Sequence, residues 1–142
     1  MVSQISVFME NRKGRILKFT EVLRDNGIDL LSLSVADTKD FGILRCVVRD
    51  NEKAVAVLRD AGFTVASTEL IGVEVEDRPG GLCEILTLFE AADINMEYVY
   101  SFVRRANRNA VIFLKVSDDK RAVDLLEKKG IKLLNQKALC AD

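Results

Sequence analysis

Histidine and tryptophan are absent from this chain of 142 residues. Without histidine, the chain lacks the side chain that most often acts as a general base near neutral pH and that most often binds metals. The sequence also has no phosphate loop of the Gly-x-x-x-x-Gly-Lys type and no cluster with metal-ligand spacing. It therefore gives little support to an enzyme, and we expect no metal and no cofactor.

Cysteine is also scarce. The three cysteines, Cys46, Cys83 and Cys140, have no paired spacing, and an odd number argues against a disulfide framework. The first ten residues, MVSQISVFME, alternate between apolar and polar types, unlike the basic start and apolar run of a signal peptide. We therefore expect reduced thiols in the cytoplasm, with Cys46 and Cys83 explained by packing in the core.

Neither sign of charge predominates, and long apolar runs are missing. Lysine and arginine number 21 against 22 aspartates and glutamates, so the totals do not indicate a basic surface for nucleic acid. No stretch approaches the roughly 18 apolar residues that a membrane helix needs. Hydrophobic residues nevertheless make up 49% of the chain, which is enough for a packed core. These features predict a globular protein that binds neither nucleic acid nor membrane.

The sequence contains one internal repeat, which is the strongest feature of its organisation. Arg12, Gly14 and Ile16 recur 66 positions later as Arg78, Gly80 and Leu82. Further along, a second set recurs 68 positions later: Ala54-Val55, Leu58 and Gly62 match Ala122-Val123, Leu126 and Gly130. The second copy therefore has two extra residues between its middle strands.

Within each copy the hydrophobic period changes between strand-like and helix-like in the same order. In the first copy this pattern predicts a strand at 3–9, a helix from 16 to a stop at 26–27, strands at 28–36 and 42–48, a helix at 51–61 capped by Asp50, and a strand at 63–66. In the second copy the corresponding ranges are 70–76, 82–92, 94–102, 110–116, 119–129 and 131–134. Each copy is therefore predicted to be βαββαβ.

Two right-handed βαβ crossovers in this order give a ferredoxin-like antiparallel sheet with both helices on one face. The fold class is α+β, with one module over residues 1–67 and a second over residues 68–142, joined by the linker Ser67-Thr68-Glu69. A module of about 65 residues buries little surface by itself. We therefore expect the two modules to pair side by side through their bare faces or edges.

The sequence DRPGGL at residues 77–82, followed by ADINM at 92–96, resembles the ACT domain. The first copy, with NRKGRI at 11–16 and NGIDL at 26–30, is similar except that Lys13 replaces the proline. ACT domains sense amino acids in enzymes such as aspartate kinase and phosphoglycerate dehydrogenase, and in the regulatory subunit of acetolactate synthase. The chain resembles stand-alone tandem ACT proteins, which implies a free amino acid as ligand and a non-catalytic regulatory role.

Physical chemistry gives the glycine loops a candidate role. A glycine turn that opens a helix exposes backbone N–H groups at the positive end of the helix dipole, which suits a carboxylate. Side-chain oxygens of Asn11, Asp77, Asp29 and Asn95 could accept hydrogen bonds from an ammonium group. Plainer explanations also fit: a tight turn for the glycines, helix capping for Asn11 and Asp77, and turns for Asp29 and Asn95. The residues alone do not decide between these explanations.

In the family, the loop of one domain meets the second strand of the other, so the resemblance implies two sites of different composition. One would combine the loop at 11–15 with Asn95 and Met96, and the other the loop at 77–81 with Asp29 and Leu30. Arg12 and Arg78 could reinforce carboxylate binding or simply be solvated. The predicted ligand-binding residues are Asn11, Arg12, Lys13, Gly14, Arg15, Ile16, Asp29, Leu30, Asp77, Arg78, Gly80, Gly81, Leu82, Asn95 and Met96.

Three functions remain open at the level of sequence. The leading hypothesis is an amino-acid sensor that regulates a separate metabolic enzyme and forms a homodimer. The second is a structural assembly module whose ligand site has been lost, which Lys13 makes credible for the first copy. The third is a small enzyme on a ferredoxin-like scaffold, and it has the least support.

Overall fold

The computed structural model describes residues 1–10, 12–37, 40–103 and 109–140. The chain divides into two compact units. We call Ser3–Glu69 module 1; module 2 consists of Met1–Val2 and the chain from Leu70 onward. Asn11, one of the predicted ligand-binding residues, lies outside the described residues.

Module 1 has the predicted βαββαβ order. Its elements are β1 (Val2–Glu10), α1 (Arg15–Asp25), β2 (Leu30–Asp37), β3 (Phe41–Val48), α2 (Asn51–Asp60) and the first part of β4 (Thr64–Glu76), which continues into module 2. The strands lie in the order β2-β3-β1-β4. β1 and β3 are antiparallel with Ile5 opposite Cys46, and β2 and β3 are antiparallel with Leu33 opposite the same cysteine. This is the ferredoxin-like arrangement, and the fold prediction is confirmed.

Module 2 repeats the arrangement with β4 as its first strand. Its further elements are α3 (Gly81–Ala91), β5 (Met96–Val103), β6 (Asn109–Val116), α4 (Asp119–Lys128), β7 (Lys132–Leu134) and the short α5 (Gln136–Leu139). The strand order is β5-β6-β4-β7, and all three pairings are antiparallel. Within the described parts of the chain, none of the helices has the length and hydrophobicity needed to cross a bilayer.

Both helices of each module pack on the same face of its sheet. In module 1, Phe19 of α1 and Leu58 of α2 are fully buried against Ile5, Val7 and the facing residues of β3. In module 2 the equivalent cluster contains residues from α3, α4 and the strands β4 and β6: Ile85, Phe89, Leu126, Ile71, Val73 and Leu114. Each fully buried large side chain contributes about 1.5–3 kcal/mol, so these clusters stabilise the modules.

The helix caps explain where the second helix of each module begins. Asp50 and Asp118 each accept a hydrogen bond from the backbone N–H three residues later, at 3.2 Å and 3.1 Å. This confirms the predicted role of Asp50. A side-chain cap of this type stabilises a helix by about 1 kcal/mol.

Three details differ from the sequence predictions. β4 is one strand of 13 residues, so the expected linker Ser67-Thr68-Glu69 is part of a strand and the predicted strands at 63–66 and 70–76 are continuous. α5 was not predicted; its Asn135 cap accepts a hydrogen bond from the backbone N–H of Ala138 at 2.7 Å. Cys46 is buried, but Cys83 is exposed, so the prediction that Cys83 packs in the core is wrong.

Candidate functional site

The two glycine loops have the same backbone conformation. Gly14 caps α1 with φ 90° and ψ −10°, and Gly80 caps α3 with φ 93° and ψ −9°. In each loop the N–H of the arginine two residues earlier donates to the carbonyl at the end of the preceding strand, Glu10 or Glu76, at 2.9 Å. Positive φ values of this size favour glycine, so the repeated glycines reflect a repeated backbone geometry.

Neither α1 nor α3 begins with a side-chain cap on its N-cap residue, in contrast to α2 and α4. The alternative that Asp77 caps α3 is wrong, because Gly80 is the cap residue, and Asp77 makes no side-chain hydrogen bond to any residue that the structure describes. The first N–H groups of a helix have no partner inside the helix. Those of Arg15 and Gly81 donate to the loop carbonyls of Arg12 and Arg78, at 3.4 Å and 3.1 Å, and the N–H groups that follow them are open within the described chain. They lie at the positive end of the helix dipole, where an anion is favoured.

Gly81 has a different role from its neighbour Gly80. A Cβ atom on Gly81 would lie 2.7 Å from the carbonyl oxygen of Glu76, whereas one on Gly80 would meet only the Arg78 guanidinium, at 3.7 Å. Gly81 is therefore required because the helix approaches the end of β4 closely. In module 1 the equivalent position is occupied by Arg15, and its side chain is half-buried.

Arg78 is bound within its own loop and is not simply solvated. Its guanidinium contacts Glu76 Oε2 and Glu84 Oε1, both at 2.8 Å, so it joins the end of β4 to the first turn of α3. The hydrogen bond to Glu84, followed by that to Glu76, raises the pKa of Arg78. Both partners are carboxylates, so they neutralise the charge of the Arg78 guanidinium. This weakens the attraction of Arg78 for a ligand carboxylate.

The arginines of module 1 are held more loosely. Arg12 lies 3.4 Å from Glu10 Oε2, and both side chains are more than 60% exposed. Exposed ion pairs of this kind contribute about 0–1 kcal/mol, so Arg12 can change partners at little cost. The guanidinium of Arg15 lies 4.7 Å from the ring centroid of Phe63, in a cation–π contact. The other loop residues, Lys13 and Ile16, are exposed or half-exposed.

Each loop borders a crevice, and the two crevices are equivalent. The crevice of module 1 has a volume of about 310 Å³ and that of module 2 about 340 Å³. Both are formed by the end of the first strand, the arginine of the loop and the turn between the second helix and the last strand, which contains Gly62 in module 1 and Gly130 in module 2. Each copy of the sequence repeat therefore forms an equivalent crevice.

The predicted residues at the start of the second strands lie elsewhere. Asp29 forms an ion pair with Arg49 at 3.4 Å, and the backbone N–H of Asn95 donates to Ser117 Oγ at 3.1 Å. Asn95 and Met96 border a separate cavity of about 330 Å³, next to Asp93. The structure therefore does not bring the loop and the second strand of module 2 into one cavity. Contact between each loop and the other module's second strand remains a prediction.

The predicted apolar residues pack mainly as part of the modules. Leu30 lies against the core of module 1, and Leu82 and Met96 lie against the core of module 2. These three residues are only partly buried, so part of each side chain remains accessible. Among the described residues, no group of three cysteines, aspartates or glutamates is arranged to hold a metal ion.

Several crevice residues were not predicted from the sequence. In module 1 these are Phe8, Met9, Glu10, Phe41, Gly62 and Thr64. They come from three strands and a turn that are distant along the chain, and pairing of the strands brings them together. One clue was available, because Gly62 and Gly130 match in the sequence repeat, and both have positive φ.

Comparison with known proteins gives a consistent result. The chain matches the family model described as an ACT domain pair over residues 1–141. Protein BT0572 from Bacteroides thetaiotaomicron is 35% identical with a TM-score of 0.91, covering 98% of this chain and 95% of that one. The ligand-free regulatory subunit of aspartate kinase from Thermus thermophilus, at 12% identity, has a TM-score of 0.63 over 89% of this chain and 91% of that one, which is a likeness of fold. A search of functionally curated proteins found no match.

Proposed function

The chain belongs to the ACT domain pair family, and we propose that it is a non-catalytic regulatory protein that senses a free amino acid. One observation carries the proposal: the glycine loop is present twice with the same φ and ψ, each time at a helix start without a side-chain cap and beside a crevice. A tight turn explains the glycines but gives the adjoining crevices no role. A duplicated binding site accounts for both features.

The chemistry of the loops suits the two charged groups that all free amino acids share. The α-carboxylate is a small anion, and open N–H groups at a helix start bind such anions. The α-ammonium group needs oxygen acceptors, and glutamate precedes each loop at an equivalent position, Glu10 and Glu76. The complete absence of histidine from the sequence supports a binding role over catalysis.

A regulatory role requires a partner whose activity changes when the amino acid binds. We propose that this partner is a metabolic enzyme, as for the aspartate kinase whose regulatory subunit has this fold. We also propose a homodimer, because β2 and β5 lie at the ends of their sheets and edge strands are commonly protected by association. None of the three cysteines, all of which lie in the described part of the chain, forms a disulfide, which supports the cytoplasm as the location.

A thermal-shift screen with the twenty common amino acids tests the proposal. Binding to the native state at about 100 times Kd stabilises a protein by about 2.7 kcal/mol. For a chain of this size, that should raise the melting temperature by about 5–10 °C. We expect one amino acid or one chemical class to produce such a shift. A flat response across the panel would contradict sensing and favour a structural assembly role.

A further inference from the structure

The two equivalent crevices differ in chemistry, and the difference is concentrated at four pairs of positions. Phe8 and Phe41 of module 1 correspond to Glu74 and Asn109 of module 2. Arg15 and Thr64 likewise correspond to Gly81 and Lys132. Duplication kept the shape of the cavity while the groups around it changed. The two crevices therefore cannot favour the same ligand.

The module 1 crevice has an apolar side. Phe8 and Phe41 border it and are 48% and 63% exposed, respectively. Phe8 lies opposite Ile43 on β3, and Phe41 is two residues from Ile43, so both rings are on the same face of the sheet as diagonal neighbours. One exposed aromatic residue needs no explanation, but two together beside a cavity indicate a surface that an apolar group can cover.

The other side of this crevice is basic. Arg12 and Arg15 border it with one carboxylate, Glu10, so positive charge is in excess. The cation–π contact with Phe63 holds Arg15 in position without neutralising its charge. The crevice thus offers two guanidinium groups to a carboxylate, one glutamate to an ammonium group and two rings to an apolar side chain.

In module 2 the same positions are already occupied by interactions within the protein. Glu74 is almost completely buried, accepts a hydrogen bond from Asn109 Nδ2 at 3.1 Å and lies 2.9 Å from Lys132 Nζ. Glu76 and Glu84 are bound to Arg78. Three carboxylates thus face two cations, and this crevice has no ring corresponding to Phe8 or Phe41. An amino acid with an apolar side chain therefore has no favourable position there, either for its carboxylate or for its side chain.

We infer that the module 1 crevice is the selective site, and that it takes an amino acid with a large apolar side chain, aromatic before aliphatic. This inference rests on the proposed amino-acid sensing. The ligand carboxylate binds the open N–H groups at the start of α1 together with Arg12 and Arg15, its ammonium group binds Glu10, and its side chain covers Phe8 and Phe41. The volume of about 310 Å³ is at the lower end of the range of small-ligand sites, about 300–1,000 Å³, and suits one amino acid.

Isothermal titration of the full chain with L-phenylalanine, L-leucine, L-aspartate and L-lysine tests this inference. We expect phenylalanine to bind most tightly, with one site per chain. Phe8→Ala and Arg15→Gln should each weaken binding about tenfold. Two matched controls should change Kd less than about twofold: Leu33→Ala, an exposed apolar residue of the same module, and Arg24→Gln, an exposed arginine of the same helix.

The possible outcomes separate the inference from the proposed function. Tightest binding of aspartate or lysine, or two equal sites per chain, would overturn the assignment to module 1 and leave sensing intact. Unchanged phenylalanine affinity in both Phe8→Ala and Phe41→Ala would also overturn the assignment. If these variants instead change the molecular mass in solution, the two rings stabilise an interface between chains, and the assignment is overturned in that case as well. If Phe8→Ala does not fold, the more exposed Phe41 supplies the test. No binding of any of the twenty amino acids would contradict the proposed function itself.

Discussion

Replacing Gly80 and replacing its neighbour Gly81 should each lower the stability of the fold, but for different reasons. Gly80 has φ 93°, so Gly80→Ala forces alanine into the left-handed region, at a cost of about 1–2 kcal/mol. Gly81 has no positive φ, and its limit is the approach of 2.7 Å between its Cβ position and the Glu76 carbonyl oxygen. Overpacking costs about 1–3 kcal/mol, and alanine regains up to about 1 kcal/mol of helix propensity. Real Cβ atoms essentially never approach to 2.7 Å, so the upper half of the overpacking range applies, about 2–3 kcal/mol, and Gly81→Ala should lose about 1–2 kcal/mol overall.

Asparagine separates the two causes. It tolerates the left-handed region better than alanine does, so Gly80→Asn should recover about half of the stability lost in Gly80→Ala. Gly81→Asn should recover nothing, because its Cβ meets the same carbonyl. Gly14, with φ 90° and open space around its Cβ position, is the matched control in module 1 and should behave as Gly80 does.

Urea denaturation followed by circular dichroism measures these differences. With m values of about 1–3 kcal/mol per molar urea, a loss of 1–2 kcal/mol lowers the midpoint by roughly 0.5–1 M. Two results would refute the reasoning: equal midpoints for Gly80→Asn and Gly80→Ala, or a Gly81→Ala variant as stable as the unmodified chain. The first would mean that φ does not limit position 80, and the second that the close approach is relieved without cost.

Two further predictions concern the helix caps and the cysteines. Asp50→Ala and Asp118→Ala should each lower the free energy of unfolding by about 1 kcal/mol, because each removes a capping hydrogen bond from a backbone N–H. Thermal melting measures the loss. An unchanged Tm in both variants would show that neither cap stabilises its helix. Burial raises the pKa of Cys46 to about 12, so at pH 8 iodoacetamide should modify exposed Cys83 in the native protein and reach Cys46 only after unfolding. Mass spectrometry of the labelled peptides checks this, and equal labelling of both cysteines in the native state would contradict the placement of Cys46 in the core.

The fold could be predicted because the same hydrophobic pattern occurs twice. The alternation of Ile5, Val7 and Met9 identifies a strand with one buried face, and all three are buried. The linker was misassigned because a short polar sequence can either turn or continue a strand. Ser67-Thr68-Glu69 contains neither glycine nor proline to force a turn, and β4 continues through it. α5 is only four residues long, too short to show a helical period.

The position of Cys83 could not be read from the pattern for a different reason. α3 is apolar around much of its circumference, so the spacing of its apolar residues does not identify a single buried stripe. Ile85 and Phe89 turn out to face the core, while Cys83 and Leu86 are exposed. Hydrophobic periodicity therefore predicts where a helix lies in the sequence more reliably than it predicts which face of an apolar helix is buried.

The site was only partly predictable. The loops were found because their glycines are repeated and because a helix start has a known affinity for anions. The interactions of Arg78 with Glu76 and Glu84 depend on the path of the loop, which the sequence does not specify. Phe8 and Phe41 become diagonal neighbours only through the strand register, and residues 33 positions apart along the chain give no local pattern. Sequence therefore identified the loops, and the structure was needed to find the surfaces facing them.

The central claim is that the glycine loops bind a free amino acid. Titration of the ¹⁵N-labelled chain, followed through its backbone amide signals, tests this most directly. We predict saturable shifts at the amides that open α1, from Gly14 to Leu17, or at those that open α3, from Gly80 to Cys83. The absence of saturable shifts with all twenty amino acids, or shifts confined to residues away from both loops, would contradict the account.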